Sequence, residues 1–361
     1  MRRQNLFYFF LLHKRIIRWE AGRGYTWRFA WYTRQTMRSK RAINLLLIAT
    51  LVVIPIVGFW QRQNIYDWAK LYGYDPPAAI ASLAAANTMN DHAKHIFYVN
   101  HPELVSESTT FRQNCSSDEQ TIILGCYHPD QNGIFVFDVK DERLGGIEEV
   151  TSAHEMLHAA YDRLSGDDKK YVDGLLQDYY QNHLTDERIK QTIEAYKQSE
   201  PTELVNEMHS IFGTEVAELP KPLEDYYKRY FMNRAVVVAF SQRYESEFTS
   251  RSAKAAQYEK QIEALKAKIT AKEAELRAQL ERIKAEQTRL DSLRASGQTE
   301  QYNAGVVAYN AEVDAYNTGV AQYKRDVNTY NSLVEQYNAI AGELKQLYGA
   351  IDTRLTTQPA R

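Results

Sequence analysis

The sequence predicts an α+β protein in three parts. These are a single N-terminal transmembrane helix, a small domain with a short, mostly antiparallel sheet, and a C-terminal antiparallel coiled-coil hairpin. Three patterns support this prediction: an uncharged apolar run that ends at Trp60, short apolar segments mixed with helical periodicity over 76–240, and heptad repeats over 241–350. The 361 residues suffice for several structural units, and the net charge of −2 argues against a nucleic-acid partner.

The N-terminal region has the charge pattern of a membrane anchor. Residues 1–41 form a basic arm with eleven Lys or Arg and one acid, Glu20. Residues 42–60 carry no charge, and about 20 apolar residues suffice for one helix to cross a bilayer. A signal peptide is the alternative, but this run begins late and exceeds a usual signal core. The positive flank predicts a single-pass protein with a cytoplasmic N-terminus, a stalk over 61–75 and an extracytoplasmic remainder.

Cys115 and Cys126 are the only cysteines. A pair at this spacing in an extracytoplasmic domain favours a disulfide over two free thiols. The sequence therefore predicts a Cys115–Cys126 bond, and the absence of a Cys-x-x-Cys pattern argues against a cysteine metal site.

The region 76–240 combines short strands with helices. Branched and aromatic residues predict three strands, and turn residues separate the last two. Apolar residues at three- and four-residue steps predict the helices. The predicted strands are 96–99, 121–127 and 134–139, and the predicted helices are 78–94, 147–162, 167–182, 185–199 and 201–212.

Heptad repeats dominate the region 241–350, which a short tail at 351–361 follows. Two series of apolar residues recur every seven positions, on either side of a break at 295–298. They predict two helices that fold back on each other as an antiparallel hairpin. A parallel coiled coil between two chains is the alternative, and the tyrosine series could also face a partner protein. The series are Ile262, Ile269, Leu276, Ile283 and Leu290, then Tyr302, Tyr309, Tyr316, Tyr323, Tyr330 and Tyr337, with valines four residues after most tyrosines.

The helix predicted over 147–162 contains the pattern His154-Glu155-x-x-His158. Positions i and i+4 lie on one face of a helix, so both imidazoles can reach a single metal ion. Glu155 is one residue further around the helix. There it can act as a base on a water molecule without ligating the metal.

A peptidase-type zinc site requires a third protein ligand. The helix predicted over 201–212 offers Glu203, Glu207 and His209. Glu203 and Glu207 share one face of that helix, so spacing alone does not choose between them.

Two segments resemble the zincin metallopeptidases, and in particular the gluzincins typified by thermolysin. Residues 154–162 match the HExxHAxxD form of the zincin helix, and 206–213 resemble the NExxS-x-IFG of the glutamate helix. The resemblance implies His154, His158 and Glu207 as ligands of one Zn²⁺ ion and Glu155 as the general base. Asp162 matches a position in the first motif, which suggests a hydrogen-bond partner for a ligating histidine. The interval between the two motifs is longer than in thermolysin, and the second motif is one residue short.

These patterns together predict a membrane-anchored, extracytoplasmic zinc metalloendopeptidase that hydrolyses peptide bonds in a protein or peptide substrate. A partner protein or a second copy of the chain would bind through the coiled coil. The alternative is a non-catalytic cell-envelope scaffold or regulator that acts through its coiled-coil arm.

Overall fold

The computed structural model describes residues 48, 50–115, 122–129 and 133–354. The chain divides into two compact units, Met1–Ala69 and Lys70–Arg361. The structure is 77% helical, and its small sheet has three short strands. The predicted α+β class is therefore wrong, because helices form the framework and the sheet is a minor addition.

Eleven α-helices and three strands are labelled here in chain order. The first six helices are α1 (Arg62–Leu71), α2 (Ala78–Ala86), α3 (Asp91–Val99), α4 (Ser108–Asn114), α5 (Ile147–Asp162) and α6 (Gly166–Asn182). The other five are α7 (Glu187–Ser199), α8 (Leu204–Thr214), α9 (Lys221–Tyr227), α10 (Arg234–Ala295) and α11 (Thr299–Ile351). The strands are β1 (Glu103–Val105), β2 (Gly125–His128) and β3 (Gly133–Phe137).

The predicted membrane span is not supported. Within the described ranges, no helix is both long enough and apolar enough to cross a membrane. The prediction of one transmembrane helix at 42–60 is therefore wrong for the part of the chain that the structure describes. The basic arm, 1–41, and the start of the predicted span lie outside the described residues.

The sheet is mixed, with strand order β1-β3-β2. β3 pairs in parallel with β1 and antiparallel with β2, so the expectation of a mostly antiparallel sheet is corrected. β2 lies at one side of the sheet. The predicted disulfide is confirmed: Cys115 at the end of α4 is bonded to Cys126 on β2, with their Cα atoms 5.7 Å apart. The disulfide links β2, the outer (edge) strand of the described sheet, to the preceding helix α4.

The segment Ile96–Val99, predicted as a strand, belongs to α3. Asn90 starts the helix by accepting a hydrogen bond from the backbone N–H of Ala93 at 3.0 Å. Ala93, Ile96 and Phe97 are all buried, and their three- and four-residue spacing places them on one helical face. Burial of that face overrides the strand preference of the branched and aromatic side chains.

Helix α5 is the centre of the fold and packs against α2, α3, α8, α10 and strands β2 and β3. Helix α8 comes very close to it at Gly213, whose Cα faces Leu157 of α5 and the ring of Tyr227. Arg234 holds the end of α8, since its guanidinium donates to the carbonyls of Phe212 and Val216. The first contact packs α8 closely against α5, and the second holds α8 against α10.

Helices α10 and α11 form the antiparallel hairpin. Tyr258 of α10 donates a hydrogen bond to Gln336 of α11 at 3.0 Å, and Arg282 of α10 donates one to Glu312 of α11 at 3.0 Å. The later residue of α10 thus contacts the earlier residue of α11, as expected for antiparallel helices. The tyrosine and valine series of α11 are only partly buried. The residues of α11 that lie between the tyrosines and the valines on the helix surface face α10. A Cβ on one of them, Gly305, would lie 2.6 Å from Leu290 Cδ2. Bulky residues of one helix thus pack onto glycines of the other, and tyrosines and valines border the seam.

The base of the hairpin packs against the start of α5. Phe248 and Leu347 share a buried cluster with Ile147, and Gly146 precedes α5 with φ +110°. A Cβ on Gly146 would lie 2.9 Å from the Phe240 carbonyl oxygen, so glycine permits this close approach. The hairpin and the helix that carries the histidines therefore belong to one packed body.

Glu148, in the first turn of α5, gives a prediction about pH. Burial, with Asp138 nearby, raises its pKa to about 7, while its Oε1 accepts from the Val139 N–H at 2.9 Å. Between pH 4.5 and 7 the unfolded chain has released this proton and the folded chain retains it, so stability falls as pH rises. We expect the free energy of unfolding of Glu148→Gln, relative to that of the parent, to rise by about 1 kcal/mol between pH 5 and pH 8. The effect is modest because solvent screens this half-buried group.

Denaturant unfolding at both pH values measures this gain, with Glu149→Gln as the control on the same helix. The prediction would be contradicted if the difference in free energy of unfolding between the parent and Glu148→Gln were the same at pH 5 and pH 8.

Candidate metal centre

Helix α5 presents His154 and His158 one turn apart, with ring centroids separated by 4.7 Å. Both direct Nε2 toward Glu207 of α8. The Nε2 of His154 lies 3.6 Å from Glu207 Oε2, and the Nε2 of His158 lies 3.4 Å from Glu207 Oε1. One potential ligand atom from each residue lies within 4.8 Å of the others, so this group could hold a metal ion.

The burial of the cluster fits a cation. Glu207 and His158 are each 8% exposed, and Glu207 Oε2 has no hydrogen-bond partner among the described residues. A buried carboxylate oxygen without a partner is costly, and a cation between it and the imidazoles would satisfy it. Burial alone would raise the pKa of Glu207, but His158, His154 and a hydrogen bond from Tyr196 outweigh that effect and lower its pKa. The carboxylate is therefore in its metal-binding form.

Asn206 orients one of the histidines. Its Oδ1 lies 3.0 Å from His158 Nδ1, which places the donating N–H on that nitrogen and leaves Nε2 free as an acceptor. The amide of Asn206 in turn donates to Glu203 Oε2 at 3.3 Å. Glu203 is thus linked to the centre through Asn206 and is not among the three clustered ligands.

Glu155 lies beside the cluster, against the outer strand. It is 6% exposed, and a Cβ on Gly125 of β2 would lie 2.7 Å from Glu155 Oε1. Only glycine at this position leaves room for the carboxylate between α5 and β2. Glu155 therefore faces the same cavity as the ligands without being one of them.

A cavity of about 580 Å³ opens over the centre. The segment 122–127, which includes most of β2, lines one wall. Residues along α5, together with residues near the end of α7 and the start of α8, line the other. The cavity therefore combines a possible metal position, a carboxylate beside it and an edge strand.

The two remaining candidates, Asp162 and His209, lie in different environments. Asp162 is exposed on the cavity wall, while Asn206 is the residue bonded to His158. His209 is fully buried, with Nε2 2.9 Å from the hydroxyl of Tyr226, and burial lowers its pKa to about 3. Of the three third-ligand candidates, the structure brings only Glu207 to the histidines.

Sequence reasoning assigned no role to Asn206, Gly125 or Tyr196, which lines the cavity. Asn206 had one usable signal, an amide directly before Glu207. The contribution of Gly125 depends on how β2 packs against α5, which no local pattern encodes.

Comparisons of the chain with models of protein families, with curated proteins and with solved structures found no match. A cluster of two histidines and one glutamate does not by itself identify a zincin. The resemblance to that family therefore stays a prediction.

Proposed function

We propose that this chain is a zinc-dependent peptidase whose reaction takes place in the cavity over His154, His158 and Glu207. The observation that carries the proposal is the convergence of these three side chains beside a fourth, Glu155, that is not one of them. A purely structural metal site does not need such an extra carboxylate.

The donor set supports zinc as the metal. Two imidazole nitrogens and one carboxylate oxygen are the ligands of many catalytic zinc sites, in which a fourth position stays open. Ligands about 2.0–2.2 Å from a tetrahedral Zn²⁺ are about 3.3–3.6 Å apart. The two histidine Nε2 atoms lie 3.4 Å and 3.6 Å from the two oxygens of Glu207, which is close to this spacing. One ligand atom from each of the three residues lies within 4.8 Å of the others, so a small side-chain adjustment would complete the set.

Bound zinc would supply a Lewis acid that polarises a carbonyl and lowers the pKa of water. Glu155 is placed to accept the proton of an attacking water and to return it to the leaving amine. Asn206 keeps His158 in the tautomer that a metal requires. Each of these tasks thus has a residue at or beside the cavity.

The outer strand supports a peptide substrate. Among the described residues, β2 has one sheet neighbour, β3, and its residues Gly125, Cys126 and Tyr127 line the cavity. An extended peptide can add to such a strand through backbone hydrogen bonds, whatever its side chains. Its carbonyl groups would then pass in front of Glu155 and the candidate metal ligands.

The disulfide between Cys115 and Cys126 supports a site of action outside the cytoplasm, because such bonds persist in oxidising compartments. The hairpin supports an alternative, in which the chain is a non-catalytic scaffold and its long arm binds a partner. Its helices are 62 and 53 residues long, and at about 1.5 Å per residue the arm reaches about 80 Å.

The test is a purified, metal-free chain that is incubated with a diverse peptide library, with and without one equivalent of zinc. We expect about one zinc per chain by elemental analysis, and cleavage that depends on added zinc. Stoichiometric zinc without cleavage of any peptide would contradict the peptidase proposal and would favour the scaffold.

A further inference from the structure

The lining of the cavity is strongly acidic. Six carboxylates line it, and no lysine or arginine is among its described lining residues. Glu215 is balanced from outside the lining, because Arg188 Nη1 lies 2.8 Å from its Oε2. The six are Glu155, Asp162, Glu200, Glu203, Glu207 and Glu215.

A bound divalent metal would not neutralise this lining. Its two charges can offset at most two of these carboxylates, such as Glu207 and Glu155. Asp162 and Glu203 then remain charged at the rim. The partner identified for Glu203 is the amide of Asn206, which is neutral and cancels no charge.

The rim and the centre form one continuous site. Asn206 connects Glu203 at the rim to His158 at the centre, through contacts of 3.3 Å and 3.0 Å. Glu207, which is 92% buried, directs an oxygen without a hydrogen-bond partner among the described residues into the same space. A ligand that reaches the centre therefore passes the acidic rim.

We infer that this cavity selects peptides with a lysine or arginine next to the bond to be cleaved, and that Asp162 and Glu203 supply the selectivity. The inference deepens the proposed function and rests on it. A cationic side chain gains favourable interactions with both carboxylates, and an acidic one is repelled by them. The favourable interactions are partly exposed to solvent, so salt weakens the preference.

The experiment uses two peptides that are identical except for Lys or Gln beside the scissile bond. Their affinities are measured by fluorescence anisotropy with zinc-loaded Glu155→Gln protein, and their cleavage is measured with the zinc-loaded parent. We expect the Lys peptide to be preferred about tenfold in both assays, given the modest strength of each exposed ion pair.

Asp162→Asn and Glu203→Gln should each reduce the preference about threefold, and the double variant should nearly abolish it. Asp314→Asn, which removes an exposed carboxylate from the hairpin, should leave the preference intact. Raising the salt concentration to about 0.5 M should shrink the preference in the parent and leave the double variant unchanged.

Failure of this inference differs visibly from failure of the proposed function. Equal binding and equal cleavage of both peptides would overturn the inference and leave the peptidase standing. Tighter binding of the Lys peptide without cleavage of either one would support the acidic recognition site and overturn the peptidase.

Discussion

Replacing Glu155 with Gln is expected to leave zinc binding unchanged and to lower kcat for peptide hydrolysis about a thousandfold. The amide has nearly the same shape, so it fits the space beside Gly125, but it cannot accept the proton of the attacking water. Because Glu155 is not among the three clustered ligands, the metal site should stay intact. Steady-state kinetics with a peptide found in the library screen, together with zinc content, measure both halves of the expectation.

Glu149→Gln is the matched control. It removes a carboxylate from the same helix, but Glu149 is not part of the cavity lining. The control should retain parental kcat. If the Glu155→Gln protein cleaved as fast as the parent, Glu155 would have no role as a base.

Replacing Glu207 with Gln is expected to weaken zinc binding at least a hundredfold, a loss on the order of 3 kcal/mol. The substitution removes the negative charge that faces both imidazoles, and an amide oxygen is a much poorer zinc ligand. Zinc that binds the folded chain raises its stability in proportion to the logarithm of zinc concentration over Kd. The rise in Tm on zinc addition should therefore be large for the parent and small for Glu207→Gln.

The variant Glu203→Gln tests which of the two glutamates, Glu203 or Glu207, is the third metal ligand. Its side chain accepts a hydrogen bond from Asn206 and is not part of the three-residue cluster, so this variant should keep a parental Tm shift with zinc. Isothermal titration with zinc gives the affinities independently. Loss of zinc binding in Glu203→Gln with retention in Glu207→Gln would reverse the assignment of the third ligand.

Much of the candidate site was predictable because its two histidines belong to a single helix. His154 and His158 lie four residues apart in one regular helix, and the helix geometry alone places their side chains on a common face. The disulfide was predictable since the chain offers only two cysteines. The antiparallel hairpin was predictable since two heptad series flank a break that contains glycine.

The predictions that failed depend on how segments pack in the folded protein, which local sequence patterns do not specify. The segment Ile96–Val99 has residues typical of strands, but its burial with Ala93 keeps it helical. The α+β class failed because segments that suggested several strands contribute only short ones. The heptad pattern also did not indicate that the residues of α11 that face Leu276 and Leu290 are Gly319 and Gly305.

By itself, the sequence determined the paired histidines, the adjacent Glu155, the disulfide and the heptad helices, because each depends on neighbours in the chain or on a single pairing. Only the tertiary structure decided that Glu207 and not Glu203 faces the histidines, and that Asn206 orients His158. It also showed that Gly125 brings β2 against Glu155. These features depend on how α8 and β2 pack against α5, and packing between segments distant in the chain leaves no periodic signal in either segment.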